Sequence, residues 1–197
     1  MADVPFDRTL AAARAGDEQA FATLWRALHP PLLRYLRVIA PKIADDVASE
    51  TWLQVVRGLR QSSGGFSGDE AGFKSWLFTI ARNKVTDAAR QAARRPIEIS
   101  DDGDASVPAA PDDTATAVIE RIDTEAALAL IAQLPADQAE VVMLRVVAGL
   151  EVADVARVVR KSPGAVRVTS HRALRKLREL LAHSSETAAG ERKAVTR

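Results

Sequence analysis

Residues 150–178, LEVADVARVVRKSPGAVRVTSHRALRKLR, decide how the rest of the chain is read. Leu150 to Val159 spaces its apolar residues as a short amphipathic helix does. Arg160-Lys161 makes a turn, and Ser162-Pro163 opens the next helix. A serine at the cap accepts hydrogen bonds from unpaired N–H groups, and a proline at the first helical position loses no bond it would have made. A short helix, a tight turn and a basic helix form the helix-turn-helix pattern. Spacings of three and four bring Arg167, Val168, His171, Arg172 and Arg175 to one side, leaving Val166, Ala173, Leu174 and Leu177 for the core. Between 157 and 178 there are eight basic residues and no acidic one. The start of such a helix enters a major groove, where arginine reads guanine or holds phosphate.

Working upstream, a helix from Thr124 to Leu134 ends at Pro135, and another begins near Asp137, with Val141, Val142, Leu144 and Val147, and stops at Gly149. Before them lies PIEISDDGDASVPAAPDDTATA, residues 96–117, rich in Pro, Asp, Ala, Ser and Gly. Its composition is that of an acidic flexible linker, and residues 96–125 carry nine acidic residues against Arg121. The expected organisation is a domain over 1–95, a linker over 96–117, a second domain over 118–182 and a disordered tail over 183–197.

The first domain reads as three helices around one small core. Asp17 caps a helix carrying Phe21, Leu24, Trp25 and Leu28; Pro30-Pro31 should break or kink it before Leu32, Leu33, Leu36 and Ile39 continue the apolar face. Asp45-Asp46 starts a second helix with Val47, Trp52, Val55, Val56 and Leu59 inward and Glu50, Gln54 and Arg57 outward. A Gly/Ser loop over 61–68 leads to a third, Ala71 to Arg95, with Phe73, Leu77, Ile80, Ala81 and Val85 buried. No alternating strand pattern occurs, so the fold class is all-α, two small helical domains. The third helix is also basic: Lys74, Arg82, Lys84, Arg90, Arg94 and Arg95 stand against Asp87. Phe66, Phe73 and Trp76 precede Asn83 and that row. Aromatic faces stack on unpaired bases, an amide reads a base edge, and a basic row tracks phosphates.

Composition removes other classes. The 197 residues carry 27 Lys+Arg, 26 Asp+Glu and no cysteine, a formal charge of +1. Two basic segments flanking an acidic one therefore point to polyanion binding where the bulk charge does not. Disulfides, thiolate metal sites and cysteine nucleophiles are excluded. His29, His171 and His183 have no ligand-spaced partners, and Gly64-Gly65 and Gly68 fit no phosphate-cradling loop. The expectation is a non-enzyme without metal or cofactor. No apolar run approaches the roughly 18 residues of a membrane span, and MADVPFDRTL lacks a signal peptide's pattern, so no membrane insertion and a cytoplasmic location are expected.

The stretches DEQAFATLWRALHPPLLRYL (17–36), ADDVASETWLQVV (44–56), FKSWLFTIARNKVTDAARQAARR (73–95) and LPADQAEVVMLRVVAGLEVADVARVV (134–159), followed by the basic helix, resemble in order the sigma-70 family of RNA polymerase sigma factors, extracytoplasmic-function (ECF) group. The resemblance covers about residues 17–95 and 120–181. It implies region 2 in the first half and region 4 in the second. It further implies core RNA polymerase, promoter DNA and a cognate anti-sigma factor as partners. By that resemblance Asp46, Glu50, Gln54 and Arg57 meet core polymerase. Phe66, Lys74, Trp76, Asn83, Lys84, Arg90, Arg94 and Arg95 serve the melted −10 element, and Ser162, Arg167, Val168, His171, Arg172 and Arg175 the −35 duplex.

A length check bears on this reading. The linker's 22 residues reach at most about 73 Å extended, and average about 26 Å as a free coil. Elements about 17 base pairs apart lie roughly 55–60 Å apart on duplex DNA. The linker must therefore be held stretched when both elements are read. The competing readings are a helix-turn-helix regulator that binds duplex DNA without polymerase, and a helical adaptor whose basic faces are incidental.

Overall fold

The structure is a computed structural model, and it describes residues 6–60, 66, 68–94 and 115–195, with side chains from 124 to 182 in the last stretch. Among the described residues there is no strand. Residues 95–114, most of the expected linker, and Arg95 with them lie outside the described set.

The first module opens with a helix the sequence pattern did not announce, α1 (Phe6–Arg14), which buries Leu10 and Ala13. Gly16 ends it at φ 95, a left-handed conformation open to glycine at no steric cost. Asp17 then begins α2 (Glu18–Ile39) by accepting from the N–H groups of Gln19 and Ala20. Helix α2 runs unbroken through Pro30 and Pro31, where a break or kink is the sequence expectation. Two prolines remove two backbone donors. Leu24 and Leu28 before them and Leu32, Tyr35 and Leu36 after them are all buried on one face, and that burial holds the helix together across the gap.

A 3₁₀ turn, Pro41–Ile43, leads into α3 (Ala44–Arg60). Helix α4 (Glu70–Arg94) starts where the Asp69 carboxylate accepts from the Gly72 N–H. Its Phe73, Leu77, Phe78, Ile80 and Ala81 are buried, with Phe78 edge-on to Tyr35 at 5.4 Å between ring centroids. Phe78 is a core residue the periodicity did not single out. Trp25, expected on the inward face of α2, is instead 40% exposed and lies flat on His29.

The second module comprises α5 (Ala115–Ala132), α6 (Ala136–Val142), a π-type turn (Met143–Val147), α7 (Val152–Val159) and α8 (Pro163–Val195). Met143, Leu144, Leu150, Val155, Val158, Val166 and Ala173 form its core. Gly149, at φ 66, reverses the chain, and the Arg145 guanidinium donates to the Leu150 carbonyl at 2.6 Å across the reversal. Leu174, expected to face the core, is 47% exposed: the buried face of α8 runs through Val166, Ala173, Leu177 and Leu180 and leaves Leu174 beside it. The backbone of α8 continues to Val195, through residues the sequence assigns to a tail.

The modules are in contact. Helix α7 packs on α4, and α5, α6 and the π-type turn pack on α2, so the buried apolar residues form one continuous cluster.

Candidate nucleic-acid interface

The second module presents a complete helix-turn-helix. Helix α7 ends on Arg160 in the left-handed conformation (φ 56, ψ 44), and the Lys161 N–H donates back to the Ala156 carbonyl. A non-glycine residue there costs about 1–2 kcal/mol. The Ser162 hydroxyl accepts from the Ala165 N–H at 3.2 Å, so Ser162, one of the expected contact residues, serves as the cap of α8. Asp154 is buried and held by Arg157 one turn later, which fixes the start of α7 against the core. From this frame Arg167, Val168, His171, Arg172 and Arg175 all stand exposed on α8. Arg175 approaches Glu179 at 3.9 Å. The other four have no side-chain partner among the described residues.

The corresponding surface of the first module is built differently. Phe66 stacks on Trp76 with centroids 5.2 Å apart and planes 22° apart, and Phe73, fully buried, supports both rings. Trp76 fits against α3 because residue 58 is glycine: a Cβ there would lie 2.7 Å from the indole. Gly68 makes the same allowance for Phe66, with a Cβ position 2.8 Å from that ring. Further along α4, Lys74 pairs with Glu70 at 2.6 Å and Arg90 with Asp87 at 3.3 Å. Lys84 pairs with Glu50 of α3 at 2.8 Å, joining a residue expected at DNA to one expected at polymerase. Asn83 accepts from the Arg160 guanidinium at 3.3 Å, across the junction between modules. Arg94 is exposed. The structure thus brings Phe66 and Trp76 together, sets Lys84 against α3 and Asn83 against the α7–α8 turn, while Arg95 lies outside the described residues.

On the outer face of α3, Asp46, Glu50, Gln54 and Arg57 are exposed, and Leu53 among them is 57% exposed. Leu53 escaped the sequence reading because a lone exposed leucine has no periodic signature.

Three further residues were not legible as site residues. Gly58 reads as a weak point in a helix until Trp76 is seen against it. Glu140 reads as a surface acid of α6, yet its carboxylate accepts from the Arg82 Nε at 2.7 Å and the Tyr35 hydroxyl at 3.2 Å. Burial first, and then the Glu140 charge, push the Tyr35 hydroxyl well above the usual tyrosine range, so it stays protonated as the donor. Arg160 reads as a turn residue. His29 accepts from the Trp52 indole N–H at 3.2 Å through Nδ1, which requires the neutral ring there. Burial lowers its pKa below 6.5, a shift the Arg37 charge adds to and the Asp45 carboxylate opposes. No group of three or more His, Asp or Glu side chains is arranged to hold a metal ion among the described residues. Among them also, no helix is long and apolar enough to cross a membrane.

Two family descriptions match this chain: Sigma-70 region 2 over residues 24–95 and Sigma-70, region 4 over residues 124–177. The ECF RNA polymerase sigma factor BldN of Streptomyces coelicolor is 35% identical over 173 residues, 86% of this chain. The chain spans 63% of the length of that relative. The ECF RNA polymerase sigma factor ShbA of Streptomyces griseus is 35% identical over 176 residues, 84% of this chain and 89% of the relative. Among solved structures, the sigma factor RpoE in complex with the anti-sigma factor NepR from Bartonella quintana superposes with a TM-score of 0.57. That match has 22% identity over 82% of this chain and 96% of the other, a likeness of fold. With both region models matched in chain order and the helix-turn-helix intact between α7 and α8, this chain belongs to the sigma-70 family, in the ECF group of sigma factors.

Proposed function

We propose that this chain binds core RNA polymerase and directs it to promoters, reading the −35 element as duplex and the −10 element as a melted strand. The observation that supports this most is one chain carrying two different nucleic-acid surfaces: a solvent-facing recognition helix, and an aromatic pair beside a basic helix. The first suits a major groove, where a positioned arginine discriminates bases by about 1–3 kcal/mol. The second suits an unpaired strand, where each stacked base contributes about 1–3 kcal/mol. A groove reader alone has no use for the second surface, which counts against a regulator acting without polymerase.

In this reading Arg167, Val168, His171, Arg172 and Arg175 meet the −35 duplex, with Ser162 at the start of α8. Phe66, Trp76 and Asn83 take bases of the −10 strand, while Lys74, Lys84, Arg90, Arg94 and Arg95 follow its phosphates. Asp46, Glu50, Gln54 and Arg57 face core polymerase, joined by Leu53. The working domains are 1–95 and 118–182, with 96–117 as the tether and 183–197 as a tail. The chain supplies specificity and strand separation in the cytoplasm and catalyses nothing itself; bond formation belongs to the polymerase. A cognate anti-sigma factor restrains it.

The test is run-off transcription by purified core polymerase on a library of genomic fragments, with and without the chain. Discrete new start sites that need the chain are expected. An unchanged transcript population, with no association between chain and core polymerase, would overturn the reading.

A further inference from the structure

We infer that Val168 fixes one letter of the −35 element: its methyl groups meet the C5-methyl of a thymine in the major groove, within about two base pairs of the pair met by Arg172. The inference rests on the function proposed above and deepens it, assigning a base to a residue that has no hydrogen bond to offer.

Val168 faces away from the core of the second module. The buried face of α8 runs through Val166, Ala173, Leu177 and Leu180. At 3.6 residues per turn, Val168 sits roughly 140–160° around the helix from Ala173 and Val166. It is 51% exposed, so no internal packing holds a valine there. Helix propensity does not favour it either, because a β-branched side chain loses rotamer freedom against the preceding turn. On that face its neighbours are Gly164 one turn before, His171 and Arg172 one turn after and Arg167 beside it, all exposed. Those three cationic or polar side chains can hold phosphates and base edges; valine, with neither donor nor acceptor, can hold neither.

The major groove offers one feature that matches it. Thymine alone presents a methyl group there, and apolar side chains recognise that methyl by contact. Cytosine presents an N–H donor at its edge, which an apolar neighbour would leave unpaired, so valine both favours thymine and disfavours the alternative. The branched Cβ limits Val168 to few rotamers, which keeps its methyl groups in a fixed place. The side chain is short, so α8 must come close to the base edge. Gly164 permits this: within 4 Å of a Cβ built there lies only the Ser162 Oγ, at 3.9 Å. The fold has room for a side chain at 164, and the bare backbone leaves that room to DNA. Arg172 follows Val168 by four residues, about 6 Å along the helix, which is about two base-pair steps of roughly 3.4 Å.

Deoxyuridine in place of thymidine removes the methyl group and keeps the pairing and every hydrogen-bonding group. The test measures binding of core polymerase carrying the full chain to promoters found by run-off. Each −35 thymine, on either strand, is replaced singly by deoxyuridine. At one position binding should weaken about three- to fivefold, the worth of one methyl group returned to water. Val168→Ala should weaken binding to the thymine promoter and make thymine and uracil equivalent at that position. Val168→Thr has the same shape and one methyl group left, and should keep part of the preference. Arg172→Ala should weaken both promoters and keep their ratio. A structural role for Val168 would shift every promoter alike and leave the dependence on the methyl intact. Binding indifferent to uracil at every −35 thymine, a full thymine preference in Val168→Ala, or promoters sharing no −35 thymine would overturn the inference. Discrete start sites with such indifference overturn it alone, whereas no start sites at all would overturn the proposed function with it.

Discussion

On α8, Arg167, Val168, His171 and Arg172 stand in solvent without a side-chain partner among the described residues, whereas on α4 most residues of the matching kind are already engaged. Phe66 and Trp76 cover each other's faces, Lys74, Lys84 and Arg90 are paired with acids, and Asn83 is held by Arg160. The targets proposed above account for the difference. A duplex groove has a fixed shape, so a rigid helix with its side chains free can meet it without rearranging. An unpaired strand must first be pulled from its stack, and a surface that satisfies itself beforehand does not leave exposed aromatics and unpaired cations in water. Under the proposed function the first surface is ready, and the second must exchange internal partners for bases and phosphates.

That contrast can be broken by paired substitutions. Trp76→Ala should reduce promoter opening by about 5- to 150-fold, the worth of one stacked base, while upstream duplex binding is kept. Arg172→Ala should do the reverse, weakening duplex binding by about 1–3 kcal/mol with opening normal once bound. Gel shift on upstream duplex and permanganate reactivity of unpaired thymines separate the two, and the double variant should be additive because the sites share no partner. Loss of both activities from either single change would erase the distinction.

Next in size, Gly58→Ala places a methyl where the Trp76 indole lies and should cost about 1–3 kcal/mol by overpacking. Urea unfolding measures the cost, and an impaired opening step beside intact duplex binding would show that the glycine serves the first surface. Ser162→Ala removes the cap of α8 and should cost about 1 kcal/mol, seen as a lower melting temperature with weaker duplex binding. The smallest effect is a pH dependence at His29. Its folded pKa lies below the unfolded 6.5, so the unfolded chain binds the proton more readily. The contribution is fully present above about pH 6.5 and is lost as the pH falls from there toward the folded value. His29→Phe should flatten that part of the melting-temperature profile.

Most of the fold was legible because helix signals are local. Asp17, Gly149 and the Ser162-Pro163 pair mark boundaries by their own chemistry, and the apolar spacing of α3 and α4 gave their inward faces. The misses have several physical causes, and at the α2 prolines tertiary burial outweighs local preference. Pro30 and Pro31 should interrupt a helix, yet flanking leucines buried on one face carry α2 across them. Leu174 lies beside the α8 face that Ala173, Leu177 and Leu180 turn to the core. Helix α1 is short, and Gly16 followed by Asp17 is a stop and a start placed side by side. The exposed row on α8 was readable because it depends only on helix periodicity. The engagement of Asn83, the packing of Gly58 on Trp76 and the three-way contact of Glu140 were not, since each joins residues distant in sequence.

Permanganate probing of a promoter fragment found by run-off, with core polymerase and the native chain, is the most direct test of promoter reading by this chain. Thymines about one helical turn upstream of the start should become reactive only when chain and polymerase are both present, and should stay protected with Trp76→Ala. Thymines that open equally well with Trp76→Ala, or open with polymerase alone, would contradict it.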